Sequence, residues 1–146
     1  METEGLFAPE TETEARAQFE MLEPAATEVV RTVAKTMEFD TTEYSERVSD
    51  DIVEAAREAL YASLLEVCVG ERDEYERWCD DRDYDQVEVG APNVDRVVWH
   101  AAPFAVTAVS ATFQNERDAA VATLRRQAFG RLYRDVVRGN EEERST

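Results

Sequence analysis

The chain has 146 residues, enough for one domain with a continuous core that needs no disulfide or metal staple. It carries 33 acidic residues against 16 basic ones, of which Lys35 is the only lysine, for a net charge of −17. No apolar run approaches the roughly 20 residues of a membrane span, and the acidic start METEGLFAPETETEARAQ lacks the basic and apolar regions of a secretory signal, so a cytoplasmic protein is expected.

Residues 1–8 are expected to be disordered. Pro9 with Glu10, Glu12 and Glu14 predicts a helix entry whose negative charges sit at the positive end of the dipole. Ala15, Phe19 and Leu22 then form a narrow apolar stripe at helical spacing. Pro24 breaks or restarts that helix, after which Val29, Val30, Val33, Ala34 and Met37 keep the helical period. Asp40-Thr-Thr-Glu43 has the form of a capping box for the next segment. Ser49-Asp50-Asp51 is a cap with a negative first turn, and Ile52, Ala55, Ala56, Ala59 and Leu60 line one face of the helix that follows.

LLEVCVG (64–70) switches towards β-branched residues at period two, as either a strand or the buried end of that helix. ERDEYERWCDD predicts a short helix that turns Tyr75, Trp78 and Cys79 inward. DQVEVG and DRVVWH flank Gly90-Ala-Pro-Asn93 and predict a hairpin. PFAVTAVSATF (103–113) predicts a third strand, although its alanines also suit a helix. In the last element Asn115 is the expected cap, Val121, Leu124, Ala128, Leu132 and Val136 the core face, and Gly139 the stop. The sum is a helix-rich α+β single domain over 9–139 with a small antiparallel sheet, followed by a disordered polar tail at 140–146. An all-α bundle is the competing architecture.

The near-absence of lysine beside so large an acidic excess points to a halophilic protein that requires high salt. At ~1 M ionic strength the Debye length is about 3 Å, so carboxylates that repel one another in dilute buffer are screened. Two cysteines, Cys68 and Cys79, are too few for a disulfide framework and are expected to stay reduced. RWCDDRDYDQ (77–86) gathers acids and a thiol, but it has no paired Cys or His ligands and no EF-hand glycine. It is expected to be a hydrated loop, with no metal and no cofactor. There is no glycine-rich phosphate loop and no nucleophile elbow either.

His100, in VVWHAAPF, is the only imidazole and therefore the one catalytic candidate, as a general base with a neighbouring carboxylate or cysteine. A structural histidine held by backbone or carboxylate is the reading the residues favour. Residues 115–138 hold six arginines against Glu116, Asp118 and Asp135, inside an otherwise acidic chain. Arg131, Arg134 and Arg138 share a helix face. That face, and the surface around Trp99 and His100, are the candidate binding residues. Two uses compete for the arginines: docking of the acidic residues 1–24, with Glu12, Glu20 and Glu23 as expected partners, or capture of an anionic ligand. The remaining surface repels phosphates, which argues against nucleic acid. The expected function is a small binding or regulatory module acting through a protein partner or a homodimer; an enzyme using His100 is the alternative.

The blocks NVDRVVWHAAPF and QNERDAAVATLRRQAFGRLYR, together with the acidic, lysine-poor composition, resemble an uncharacterised haloarchaeal protein family, a domain of unknown function. The resemblance covers the C-terminal third. It implies a haloarchaeal source and brings no assigned activity, so it transfers no catalytic residue.

Overall fold

The computed structural model of the chain describes residues 1–91 and 93–138. Thr11 caps α1 (Glu12–Met21), its side chain accepting from the Glu14 N–H. Pro24 does not end the helical region but restarts it: it lies in the first turn of α2 (Glu23–Thr36), where a missing N–H costs nothing. Asp40 caps α3 (Thr41–Arg47) by accepting from the Glu43 N–H at 2.8 Å. Then come α4 (Asp50–Ser63) and the strand β2 (Val67–Glu71), which settles the ambiguous 64–70 stretch. A capping box of Glu71 and Glu74 opens α5 (Arg72–Arg82), and Asp83 closes it in the left-handed region at φ 55°. The strands β3 (Asp85–Val89), β4 (Arg96–Ala102) and β5 (Thr107–Phe113) follow, then α6 (Arg117–Ala128).

The α+β class holds, but the sheet is mixed rather than antiparallel. A short strand β1 (Glu2–Glu4) is the first of five, in the order β1-β2-β4-β5-β3, with β3 parallel to β5 and every other pair antiparallel. The expected hairpin between β3 and β4 is therefore wrong. β4 is buried on both faces and takes β2 and β5 as neighbours, whereas β3, with Asp85, Gln86 and Glu88 exposed, tolerates only an edge. The tight turn lies instead between β4 and β5. It is a single 3₁₀ turn at Pro103–Ala105 followed by Val106 at φ 50°. Arg72 ties down the connection from β3 to β4, donating to Val94 O at 3.0 Å and to the Glu88 carboxylate at 2.8 Å.

The N-terminus expected to be disordered is a sheet edge. Glu2, Thr3 and Glu4 face Val69, Cys68 and Val67, and Phe7 is buried. Gly5 makes this approach possible. It sits at φ 115°, and a Cβ there would lie 2.5 Å from Leu65 O. Arg117 at the start of α6 clamps the strand through Glu2 at 3.0 Å and Glu4 at 3.3 Å.

One face of the sheet packs against α1, α4 and α6 around Tyr61, which contacts Phe7, Phe19, Phe129 and Tyr133 at centroid distances of 5.1 to 6.1 Å. The other face lies under α5, where Tyr75 and Cys79 meet Val97, Trp99 and Ala108. Ala15 and Phe19 of α1 are buried as expected. Of the apolar set of α2 and its cap only two of five are: Val30 and Ala34 are buried, while Val29, Val33 and Met37 are 44 to 58% exposed. The packing partners of α2 are α4 and, less extensively, α1, so only a narrow stripe is covered.

Two core faces differ from expectation for identifiable reasons. In α4 the inward residues are Arg57, Glu58, Tyr61 and Ala62, and Ile52, Ala55 and Ala59 are exposed. The Arg57 guanidinium stacks on Phe19 at 4.2 Å and pairs with Glu54, so its burial rests on charge and ring contacts that hydrophobic periodicity does not register. In the last helix the chain adds a π-helical turn at Phe129–Tyr133, with the Arg134 N–H reaching Phe129 O. That extra residue moves the buried face by one position: Leu132, Tyr133 and Val137 are buried and Val136 is only partly so. The start of α6 also departs from expectation, since Glu116 rather than Asn115 holds the cap position and makes no side-chain cap bond. The expected stop at Gly139 and the tail lie outside the described residues.

Candidate functional site

Strand alternation along β4 sends Trp99 towards α5 and His100 towards α6. His100 is 3% exposed. Its Nδ1 lies 2.5 Å from Glu66 O, and its Nε2 lies 2.5 Å from the Tyr133 hydroxyl. A carbonyl oxygen only accepts, so Nδ1 carries the proton and Nε2 accepts from Tyr133. Burial holds the imidazole neutral, pulling its pKa from 6.5 down to about 4, against the opposing pull of the Glu66 carbonyl and with a smaller push from Arg125. Burial raises the Tyr133 hydroxyl, and it stays protonated as the donor this arrangement needs. Both ring nitrogens are thus engaged, and neither is free to take a proton from a substrate. Tyr133 escaped the sequence reading, although Phe129 and Tyr133 at i and i+4 were its available signal.

Beside this pair lies a cavity of about 210 Å³ at the α5 side of the sheet. Trp78, Tyr84 and Trp99 give it aromatic walls, and Glu10, Glu66 and Arg82 give it charge. Cys68 also lines it, as a thiol that burial, reinforced by Glu66, pushes up to about 11, so it is no thiolate near neutral pH. Trp99 is fully buried, contrary to its expected role as an exposed contact, and meets solvent only as part of this cavity's wall. Deeper under α5 the Tyr75 hydroxyl faces Ser110 and Cys79.

The arginines of the last helix go to three places. Arg117 and Arg125 hold the N-terminal strand, Arg125 donating to Leu65 O at 2.9 Å and to Glu4 O at 3.4 Å. Arg134 and Arg138 converge on Glu58 of α4 at 3.3 and 2.7 Å, and the Glu58 side chain is 10% exposed. The side-chain hydrogen bonds of Arg126 and Arg131 among the described residues go only to Thr123 and Gln127. Docking of Arg131 or Arg134 on Glu12, Glu20 or Glu23 does not occur among the described contacts: the acidic N-terminus meets this helix through Glu2 and Glu4 instead. Between α4 and α6 run two hollows of about 460 and 470 Å³ that share Ala59, Ala62 and Arg126. Ala55, Val121 and Phe129 line them, together with Arg125, Arg134 and Arg138 and the carboxylates Glu4, Glu58 and Asp118.

Both cysteines are free thiols. RWCDDRDYDQ forms the end of α5, the Asp83 cap and the start of β3. Among the described residues no group of three or more His, Cys, Asp or Glu side chains is arranged to hold a metal ion, and no helix is long and apolar enough to cross a membrane.

A model of a family of unknown function, DUF5809, matches residues 6–134. The chain belongs to that family. Comparison with curated proteins and with solved structures found no match. The DUF5809 region reaches well beyond the C-terminal third. It takes in the His100–Tyr133 pair, the aromatic cavity and most of the groove, but begins after β1 and ends before Arg138.

Proposed function

We propose that the protein is a small binding module of a salt-rich, haloarchaeal cytoplasm, and that it holds an acidic amphipathic segment of a partner protein in the groove between α4 and α6. One observation carries this reading: in a chain of net charge −17, Arg126 on the groove and the nearby Arg131 have no carboxylate partner among the described residues. The apolar part of the groove lining is alanine, valine and phenylalanine, an area that an amphipathic helix covers and a phosphate backbone does not. Each exposed ion pair contributes about 0–1 kcal/mol, and less in molar salt, so the apolar lining supplies affinity and the arginines supply orientation. The engaged nitrogens of His100 favour this reading over an enzyme.

The test is a titration, in molar KCl, with a fluorescent synthetic helix bearing leucines on one face and glutamates on the other. Saturable binding is expected, with about tenfold loss in the Arg126→Glu/Arg131→Glu variant. Binding of duplex DNA in place of the peptide, or unchanged peptide binding by the variant, defeats the proposal. Self-association that the same variant abolishes would identify the partner as a second copy.

A further inference from the structure

The aromatic cavity shares no lining residue with the α4–α6 groove, and its chemistry differs. Trp78 lines it and contacts the two other aromatic rings of its wall. The ring of Tyr84 meets Trp78 edge-on at 5.7 Å, and Trp99 is tilted against it at 6.1 Å. Three electron-rich rings around a small void attract a cation, and most of all one whose charge is spread over methyl groups that shed water cheaply. The Arg82 guanidinium already uses this property: its central carbon lies 4.0 Å from the Trp78 ring centroid, and the same group donates to Trp78 O at 3.1 Å.

The charges around the void are of both signs. Glu10 and Glu66 are carboxylates in its lining, and Arg82 is the cation. Glu66 and Arg82 act on the Cys68 thiol in opposite directions, so both lie close to that one point of the wall. A lone cation would meet repulsion from Arg82, and a lone anion would meet the two glutamates. A molecule with both charges meets neither. The volume, about 210 Å³, suits a ligand of roughly ten heavy atoms or fewer and is smaller than the usual ~300–1,000 Å³ of larger ligand sites.

We propose that this cavity binds a small zwitterion with an N-methylated ammonium and a carboxylate. The ammonium lies against Trp78 and Tyr84 near the glutamates, and the carboxylate takes the Arg82 guanidinium. Binding therefore draws Arg82 from the ring to the ligand, which relieves the ring of its internal cation.

The chain has two tryptophans, and both line this cavity, so intrinsic fluorescence reports on it directly. Trimethylglycine is the probe, with glycine and tetramethylammonium as the two partial ligands. Saturable quenching or enhancement by trimethylglycine is expected, with a Kd at least about tenfold lower than for either partial ligand. Arg82→Gln, at an exposed position, should weaken trimethylglycine about tenfold and strengthen tetramethylammonium, since the competing guanidinium is gone. Tyr84→Leu should weaken both, and circular dichroism confirms that each variant is folded. If Tyr84→Leu fails to fold, Glu66→Gln replaces it, with weaker binding of both methylated probes expected. No saturable response to trimethylglycine, equal affinity for glycine, or an Arg82→Gln variant that loses or gains both methylated ligands together overturns the proposal.

Discussion

Acidification should destabilise the protein through His100, and the size of the effect follows from its burial. The folded imidazole has its pKa lowered from 6.5 to about 4, chiefly by desolvation. Between those values the unfolded chain binds a proton that the folded chain refuses, so stability falls as pH falls through that window and is fully present above the unfolded pKa. Each pH unit is worth 1.36 kcal/mol, so the loss from this group is about 2 kcal/mol at pH 5 and about 3 kcal/mol by pH 4. The chain also carries a net charge of −17 at pH 7, and any relief of that repulsion on acidification acts in the opposite direction. The measurement is therefore a difference: urea unfolding of the wild type and of His100→Gln, each at pH 7, 6 and 5 in the same molar KCl. The wild type should lose about 2 kcal/mol more than the variant over this range. Parallel pH dependence in the two proteins would mean that the folded imidazole accepts protons freely, and the locked Glu66–His100–Tyr133 arrangement would be wrong.

Three further outcomes are expected. Val137→Ala should cost about 2 kcal/mol in chemical unfolding and Val136→Ala under about 1 kcal/mol, because the π turn puts Val137 rather than Val136 in the core; the reverse order would place the helix in its unbulged register. Gly5→Ala should raise amide exchange at residues 2–4 and cost more than about 1 kcal/mol, since the new Cβ meets Leu65 O and the φ is unsuitable. Melting temperature should climb with KCl from a few tenths molar upward as carboxylate repulsion is screened, and a flat or falling series removes the argument for a salt-adapted protein.

Legibility of the sequence followed the kind of force involved. Signals that depend on a few adjacent residues survived into the structure: the Asp40 cap, the restart at Pro24, the inward Tyr75 and Cys79 of α5. Burial driven by charge did not, because Arg57 and Glu58 look solvent-facing until Phe19, Arg134 and Arg138 are brought up to them. Strand pairing was misjudged where sequence neighbours are not sheet neighbours, with β5 inserted between β3 and β4. The N-terminal strand has no apolar pattern at all; it is held by backbone pairing, by Gly5 and by Arg117. Of the candidate site, His100 and the arginine excess were visible, but Tyr133, Glu58 and the convergence of Trp78, Tyr84 and Trp99 depend on contacts between residues distant in sequence.

The two ends of the sheet bear on how the protein behaves in concentrated salt. A strand with unpaired N–H and C=O groups is a template on which another molecule can polymerise. Long-range repulsion between −17 particles, the usual safeguard of an acidic protein, fades once the screening length shrinks to about 3 Å at molar salt. What remains effective at that range is local chemistry. The three-residue Glu-Thr-Glu segment at one end and Asp-Gln-Val-Glu-Val at the other offer a docking strand little apolar surface and the prospect of dehydrating carboxylates. Both boundaries of the sheet thus discourage fibrillation without relying on the molecule's overall charge.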